Sequence, residues 1–453
     1  KPVPSRKEGT PVRPSPAYCA PMTRRAHSPS GAGKGIPVAV MIFSRPRMTL
    51  AEAQALPKWR RPVTLLYLMA AAMPLSFAVW SALLNNFVIE RAGFTGVEIG
   101  WLHSVREIPG FLAIGVIVVL WALREQVLAI VSLLLLGVAT ALTAHFPSFG
   151  GLLFMTLLSS IGFHYYETVN QSLQQQWLPK GEAPRVLGKI VAVGSGASLI
   201  AYGLLVVGWR YLGLTYEAVY LTAGVATVAL TLFCHFAYPQ FEAPHPQRKH
   251  MVLRRRYWLY YALQLTSGAR RQIFVVFAAF MMVEKFGMSV DQITALYLIN
   301  FLANMLAAPM MGRALGHFGE RNVMVFEYIG LTIVFLAYGG LYWFGWGVVV
   351  ASVLYVLDQL FFALAFSLKT YFQKIADPRD IAPTAAVAFT INHIAAVFLP
   401  AMLGYLWLVS PEYVFVFASG IAGVALVLAL MIPRHPEPGM ETIFARGLPV
   451  AAE

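Results

Sequence analysis

The sequence predicts an all-α integral membrane protein of twelve transmembrane helices in two pseudo-symmetric six-helix bundles. Three observations carry this. Between Val63 and Pro433 the chain is almost unbroken apolar sequence, cut at short intervals into about twelve stretches, and a bilayer core takes about 20 helical residues to cross. Hydrophobic residues make up 58% of the chain and charged residues only 12%, far from the soluble-globular balance. The apolar stretches fall six and six about one hydrophilic linker, Pro239 to Arg256.

In order, the first six spans are expected near 63–89, 97–123, 126–145, 149–171, 188–209 and 216–238. The other six follow near 257–284, 290–312, 322–344, 347–371, 383–409 and 412–433. The domains are therefore a bundle at 58–238, a cytoplasmic linker at 239–256, a bundle at 257–435 and a tail at 436–453. Ahead of them, residues 1–57 are expected to be a disordered extension. Residues 1–47 are rich in Pro, Ser, Gly and Arg, a composition that cannot bury a core, and Met48 is the expected true start. A transit peptide is the alternative, although frequent prolines oppose the amphipathic helix it needs. The net charge of +13 does not point to nucleic acid: residues 1–47 alone hold nine Lys/Arg against Glu8. Cys19 and Cys234 are isolated and form no metal or disulfide pattern.

Loop charges set the orientation. With a cytoplasmic N-terminus, even-numbered loops carry Arg124; Lys180, Arg185 and Lys189; five in the linker; Arg313 and Arg321; and Lys369, Lys374 and Arg379. Odd-numbered loops hold little beyond Arg91, Arg210 and Lys285. By the positive-inside rule both termini lie inside, in a plasma membrane and most simply a bacterial inner membrane. The halves also echo each other at an offset of 195, which sets Ser172-Leu173 on Ser367-Leu368, Glu182 on Asp377, Ser195 on Thr390 and Ala201 on Ala396. Such half-repeats mark transporters built from two related bundles.

After the eighth span the chain reads Gly312-Arg313-Ala314-Leu315-Gly316-His317-Phe318-Gly319-Glu320-Arg321. With twelve spans, a central linker and a half-repeat, this resembles the major facilitator superfamily over residues 58–435. The family signature is Gly, three residues, Asp, a basic residue, one residue, Gly, one residue, Arg. Here Gly312, Gly319 and Arg321 keep its framework, whereas Gly316 replaces the Asp and His317 the basic residue. The resemblance implies a gating loop at the cytoplasmic face. After the second span, Trp121-Ala122-Leu123-Arg124-Glu125 barely keeps the pattern. The fifth span holds Gly194-Ser195-Gly196-Ala197-Ser198 without the proline of the drug–proton antiporters, which lowers that subfamily; close packing by small residues is the plain reading.

The resemblance also implies that the first, fourth, seventh and tenth spans line a central cavity. Ionisable groups deep in a span cost at least about 2.5–3.5 kcal/mol on insertion scales, so they should face a partner, water or the bundle interior. Arg270 and Arg271 lie beyond snorkelling reach in the seventh span. Neighbours on a helix point about 100° apart, so one arginine can reach the cavity while the other pairs with an acid. Arginine grips carboxylate or phosphate, which makes an anion site and a structural ion pair equal alternatives. Asp358 in the tenth span is the expected acidic partner, as a proton carrier or a permanent lock. In the fourth span His164, Glu167, Gln171 and Gln174 share one face; Glu167 is a second candidate carrier, or a cap on an inner-gate network. HxxE spacing lacks a third ligand in the sequence, so no metal is expected.

Arg106-Glu107, followed by Pro109, sit mid-way along the second span and suit an inter-domain gate or substrate contact. Asn300, Asn304, Asn392 and His393 read first as inter-helix hydrogen bonds. Asn85, Asn86 and Glu327 fall near span ends and read as ordinary. The expected function is secondary active transport of a small molecule by alternating access, proton-coupled, with an organic anion or amphiphile as cargo. Multidrug efflux by proton antiport is the alternative, and a transporter-like receptor the alternative of another class. No ATP-binding loop and no nucleophile–base arrangement point to an enzyme or a cofactor. The expected partners are substrate, protons and lipid, with the chain acting as a monomer.

Overall fold

Apolar sequence in lipid must satisfy its backbone internally, and helix is the way one chain segment does so. Helices accordingly run through most of the chain: α1 Pro62–Ala92, α2 Gly96–Phe111, α3 Gly115–Leu120, α4 Glu125–Leu142, α5 Phe149–Trp177, α6 Ala183–Leu212 and α7 Tyr216–Ala237. They continue as α8 Trp258–Ile273, α9 Ala279–Glu284, α10 Val290–Trp343, α11 Val348–Ala363, α12 Phe366–Ile375, α13 Ile381–Val409 and α14 Pro411–Leu430. The computed structural model describes residues 47–112, 115–178, 183–242, 253–377 and 380–445. Residues 1–46, Lys180, Glu182, Arg379 and most of the linker, including Arg248 and Lys249, lie outside the described residues.

Eight helical segments among the described residues are long and apolar enough to cross a membrane, against the twelve expected. The difference has a simple cause. The segments that fall short, α2 with α3, α5, and α8 with α9, include the charged and amide-rich ones, with Arg106, Glu107, His164, Gln171, Arg270 and Arg271. One counted segment is also double. α10 has 54 residues, about 80 Å of helix at 1.5 Å per residue, and Gly319 inside it has φ 76 and ψ 166. That backbone is open almost only to glycine, and it divides α10 into two helical pieces.

Helix ends follow a repeated turn. Gly93-Phe94-Thr95, Gly213-Leu214-Thr215 and Gly287-Met288-Ser289 each combine a positive-φ glycine that ends one helix with a Thr or Ser that caps the next. The first and third lie 194 residues apart, close to the half-repeat offset. In α8–α9 a π-helical turn, Phe274–Ala278, joins the two α-helical pieces.

α1–α7 and α8–α14 meet mainly through α2 against α13 and α6 against α10. At the Gly93 end the two sets share one apolar core, containing Phe87, Leu102 and Tyr220 with Phe277, Tyr338 and Trp407. Small residues allow the approach there: a Cβ on Gly100 would run into the Pro400 carbonyl, and one on Gly96 into Trp407. Asn86 Nδ2 donates to the Met288 carbonyl at 2.7 Å, the Ala401 amide donates to Ser104 Oγ at 3.0 Å, and Trp101 Nε1 donates to Tyr405 at 3.3 Å. At the opposite end α1–α7 keep a separate core of Leu65, Leu133, Tyr166 and Trp177. Much of α6 from 185 to 200 and α10 from 301 to 319 is exposed there.

The last part of the extension is structured, contrary to expectation. Arg47–Met48 pairs in parallel with Gln240–Phe241. Thr49 and Glu52 cap each other, with Thr49 N to Glu52 Oε2 at 2.8 Å, and Ala53 is fully buried. Gln126 adds a staple, donating to the Pro239 carbonyl and accepting from the Phe241 amide, each at 2.9 Å. The tail also packs: Tyr371 donates to the Glu441 carbonyl at 2.5 Å, and Glu441 and Thr442 are buried.

Candidate functional site

Two buried charge clusters lie across the middle of the helices. The first gathers around Glu107 on α2. Its Oε1 is 2.8 Å from Arg106 Nη2, and its Oε2 is 3.5 Å from His393 Nε2 on α13. His164 on α5 completes the group: the ligand-type atoms of Glu107, His164 and His393 all lie within 4.8 Å of one another. Local structure makes the room. Gly110, one turn beyond Glu107, is where any Cβ would strike both imidazoles. Ser160 on α5 donates to the Arg106 carbonyl, and the Arg106 guanidinium stands over Trp80 at 5.3 Å and Phe77 at 5.9 Å. Glu107 also lies within electrostatic reach of Arg271, as does Glu167.

These three donors are of the types that bind transition metals, and the third ligand absent from the sequence pattern arrives from distant helices. The surrounding charges weigh against a divalent ion. Arg106 and Arg271 already balance Glu107 and Glu167, so such an ion would leave two uncompensated charges in a low-dielectric site.

Arg270 and Arg271 part as neighbours on a helix must. Arg271, half-buried, donates to Asn392 Oδ1 at 3.3 Å, and Asn392 Nδ2 donates to the Gln264 carbonyl at 3.3 Å. Gly268 admits that contact, since a Cβ there would meet the Asn392 backbone. Arg270 forms the second cluster. Its Nη2 is 3.0 Å from Glu327 Oε1, with side-chain exposures of 2% and 0%. The rings of Phe362 and Tyr328 flank the guanidinium at 5.3 and 5.5 Å. Asp358, the partner expected from sequence, is buried, its Oδ2 has no hydrogen-bond partner among the described residues, and Arg270 lies within its electrostatic reach. Glu327 belongs to the piece of α10 that starts after the Gly319 break. Eight residues on, about 12 Å at 1.5 Å per residue, Glu327 is deep in the bundle rather than at its edge.

An open cleft lies beside this pair. One face of α10 lines it with Asn304, Met311 and Gly312, and one face of α11 with Gln359 and Phe362, continuing to Phe366 at the start of α12. Asn304 Nδ2 donates to the Asn300 carbonyl at 3.0 Å. That bond is within one helix, not between helices as expected, and Asn304 Oδ1 is left without a partner among the described residues. Gln171 is exposed and Arg321 half-buried. At the Gly319 break Glu320 pairs with Lys374 of α12 at 2.8 Å.

The Major Facilitator Superfamily model matches residues 62–400. The chain belongs to the major facilitator superfamily. It is an integral membrane transporter and not an enzyme. No curated protein sequence matches it. Solved structures similar to this superfamily member include a point mutant of the nucleoside transporter NupG, with TM-score 0.67 and 14% identity over 82% of this chain and 99% of that one. NupG itself gives TM-score 0.62 and 16% identity over 81% and 97%. A bacterial homolog of the human lysosomal transporter Spinster, inward-facing and occupied, gives 0.61 and 12% over 81% and 95%. At these identities the likeness is one of fold.

Two buried residues that read as ordinary in sequence make specific contacts in this superfamily chain. Glu327 is an acid inside an apolar stretch, and the insertion cost alone could have singled it out. Asn86 sits beside the repeated glycine turn, which marks where the helices close up.

Proposed function

We propose that the chain is a proton-coupled secondary transporter of a small amphiphilic anion. The observation that carries this is the buried meeting of Glu107, His164 and His393 beside Arg271, from α2, α5, α13 and α8. Buried ionisable groups in spans serve ion or proton pathways by default, and these come from both sides of the linker. In this reading α2 with α3, α5, α8 with α9 and the second pass of α10 complete twelve crossings. Bundles at 58–238 and 257–435 then rock about the centre. The loop charges support a cytoplasmic position for both termini, so the Gly93 end faces outward and the cleft opens inward.

Arg271 with Asn392 supplies a grip for an anionic head, and the amide and aromatic cleft accepts an apolar body. A second reading rests on the cleft alone. Asn304, Gln359, Phe362 and Phe366 form an uncharged surface that suits a neutral aromatic heterocycle, in keeping with the nucleoside transporter among the similar folds. Proteoliposomes offered radiolabelled aromatic carboxylates and nucleosides under an inward proton gradient separate the two. Anion transport requires protonophore-sensitive carboxylate accumulation that falls at least tenfold in Arg271→Gln. Nucleoside accumulation indifferent to Arg271 replaces it with the second reading, and carboxylate entry indifferent to protonophore ends the coupled one.

A further inference from the structure

The Glu107–His393 contact has a hydrogen requirement that follows from its geometry. His393 Nδ1 is 2.8 Å from the Phe389 carbonyl oxygen. A carbonyl only accepts, so Nδ1 carries the hydrogen, and in a neutral imidazole Nε2 is then a bare acceptor. It faces Glu107 Oε2 at 3.5 Å. An ionised carboxylate also only accepts. Two bare acceptors would therefore face each other where Glu107 is 1% and His393 4% exposed.

We propose that Glu107 and His393 hold one exchangeable proton between them, and that this proton clasps α2 to α13. It sits on Oε2 and donates to Nε2, or on Nε2 and donates to Oε2; it is taken from water and returned to water with no other bond changed. This rests on the coupled-transport reading and names its carrier.

The surroundings fit. The Arg106 guanidinium approaches Oε1 at 2.8 Å, and Oε2 faces the histidine. The α2–α13 interface runs from Gly96 against Trp407, through Gly100 against Pro400 and Ser104 against Ala401, to Glu107 against His393. The clasp is thus the contact farthest from the sealed end and the only one of these that depends on a proton. The charged and titratable groups facing it are His103 and Arg106 on α2, His164 and Glu167 on α5, and Arg271 on α8. His164 is 5% exposed, and both its ring nitrogens lack partners among the described residues. It stands edge-on to His393 with centroids 5.6 Å apart, the position of a relay toward Arg271 and the central space.

The test uses the purified full chain in nanodiscs, with no substrate. Spin labels at the exposed Leu112, just past α2, and Ile394 on α13 report the interface by electron–electron distance, while infrared difference spectra between acid and alkaline buffer report carboxyl protonation. The wild type is expected to separate at alkaline pH and to lose a protonated-carboxyl or imidazolium band that is absent from Glu107→Gln. In Glu107→Gln an amide N–H stands where the proton sat, so the helices stay together at every pH. His393→Ala removes the acceptor and is expected to abolish the pH response without locking the interface. A wild-type interface indifferent to pH, or a Glu107→Gln chain that still opens in alkali, overturns the clasp. Both readouts work without transport, so failure of the coupled-transport reading in proteoliposomes leaves a distinct signature.

Discussion

Arg106–Glu107 and Arg270–Glu327 are the same chemistry in opposite settings. In the first, both residues come from one helix, and the carboxylate's second oxygen faces another helix set through His393. In the second, the pair joins two helices within α8–α14, walled by Tyr328 and Phe362. A sealed ion pair contributes little net stability but is costly to break on one side. A pair at a moving interface can exchange partners without unfolding anything. The difference teaches that buried charge alone does not mark function; what faces the spare acceptor does.

The comparison breaks most directly at Arg270. Arg270→Met leaves Glu327 and Asp358 buried without their cation and should cost about 3–5 kcal/mol, read as a lower unfolding temperature in detergent and poor recovery of folded protein. Wild-type stability in that variant would mean the second pair is no more structural than the first. Gly100→Val attacks the interface instead. Its new carbons meet the Pro400 backbone, which cannot give way as a side chain would, so about 3 kcal/mol of overpacking is expected, together with faster labelling of a cysteine placed at Trp101. Gly319→Ala strains the same half of the molecule away from the α2–α13 interface: about 2 kcal/mol of backbone strain is expected, with the pH response of that interface unchanged. Glu107→Gln should shift stability least, by under about 1 kcal/mol, because the amide keeps a hydrogen bond to Nε2. A stability loss as large as that of Arg270→Met would make the two pairs equivalent.

Much of this architecture was legible because the bilayer imposes one length and one backbone solution. The starts of α1, α5, α7 and α10 fall within a residue or so of the expected ones. The break inside α10 was legible too, from Gly319 in the signature. What the apolar pattern could not show was which helices carry partners into the spans. In sequence Asp358 reads as mid-span and Glu327 as near a span end, and only the packed helices set Glu327 against Arg270. His164 lacked a third neighbour because Glu107 lies 57 residues before it and His393 far after it, a juxtaposition only tertiary packing creates. The order in residues 47–57 was hidden for another reason: its partner strand belongs to the linker.

The π-turn at Phe274–Ala278 looks like the record of a single-residue insertion. Such turns absorb an extra residue without ending the helix, so everything beyond is set back by about 100° from where an unbroken α-helix of the same sequence would aim it. Upstream of it lie Arg270 and Arg271; downstream, Glu284 accepts from Trp407 Nε1 at 2.9 Å and Lys285 stands 4.2 Å from the Tyr342 ring centre. An unbroken α-helix of the same sequence would turn those contacts away from their partners. The wide turn therefore lets the charged centre and the contacts of Glu284 and Lys285 meet their partners at once.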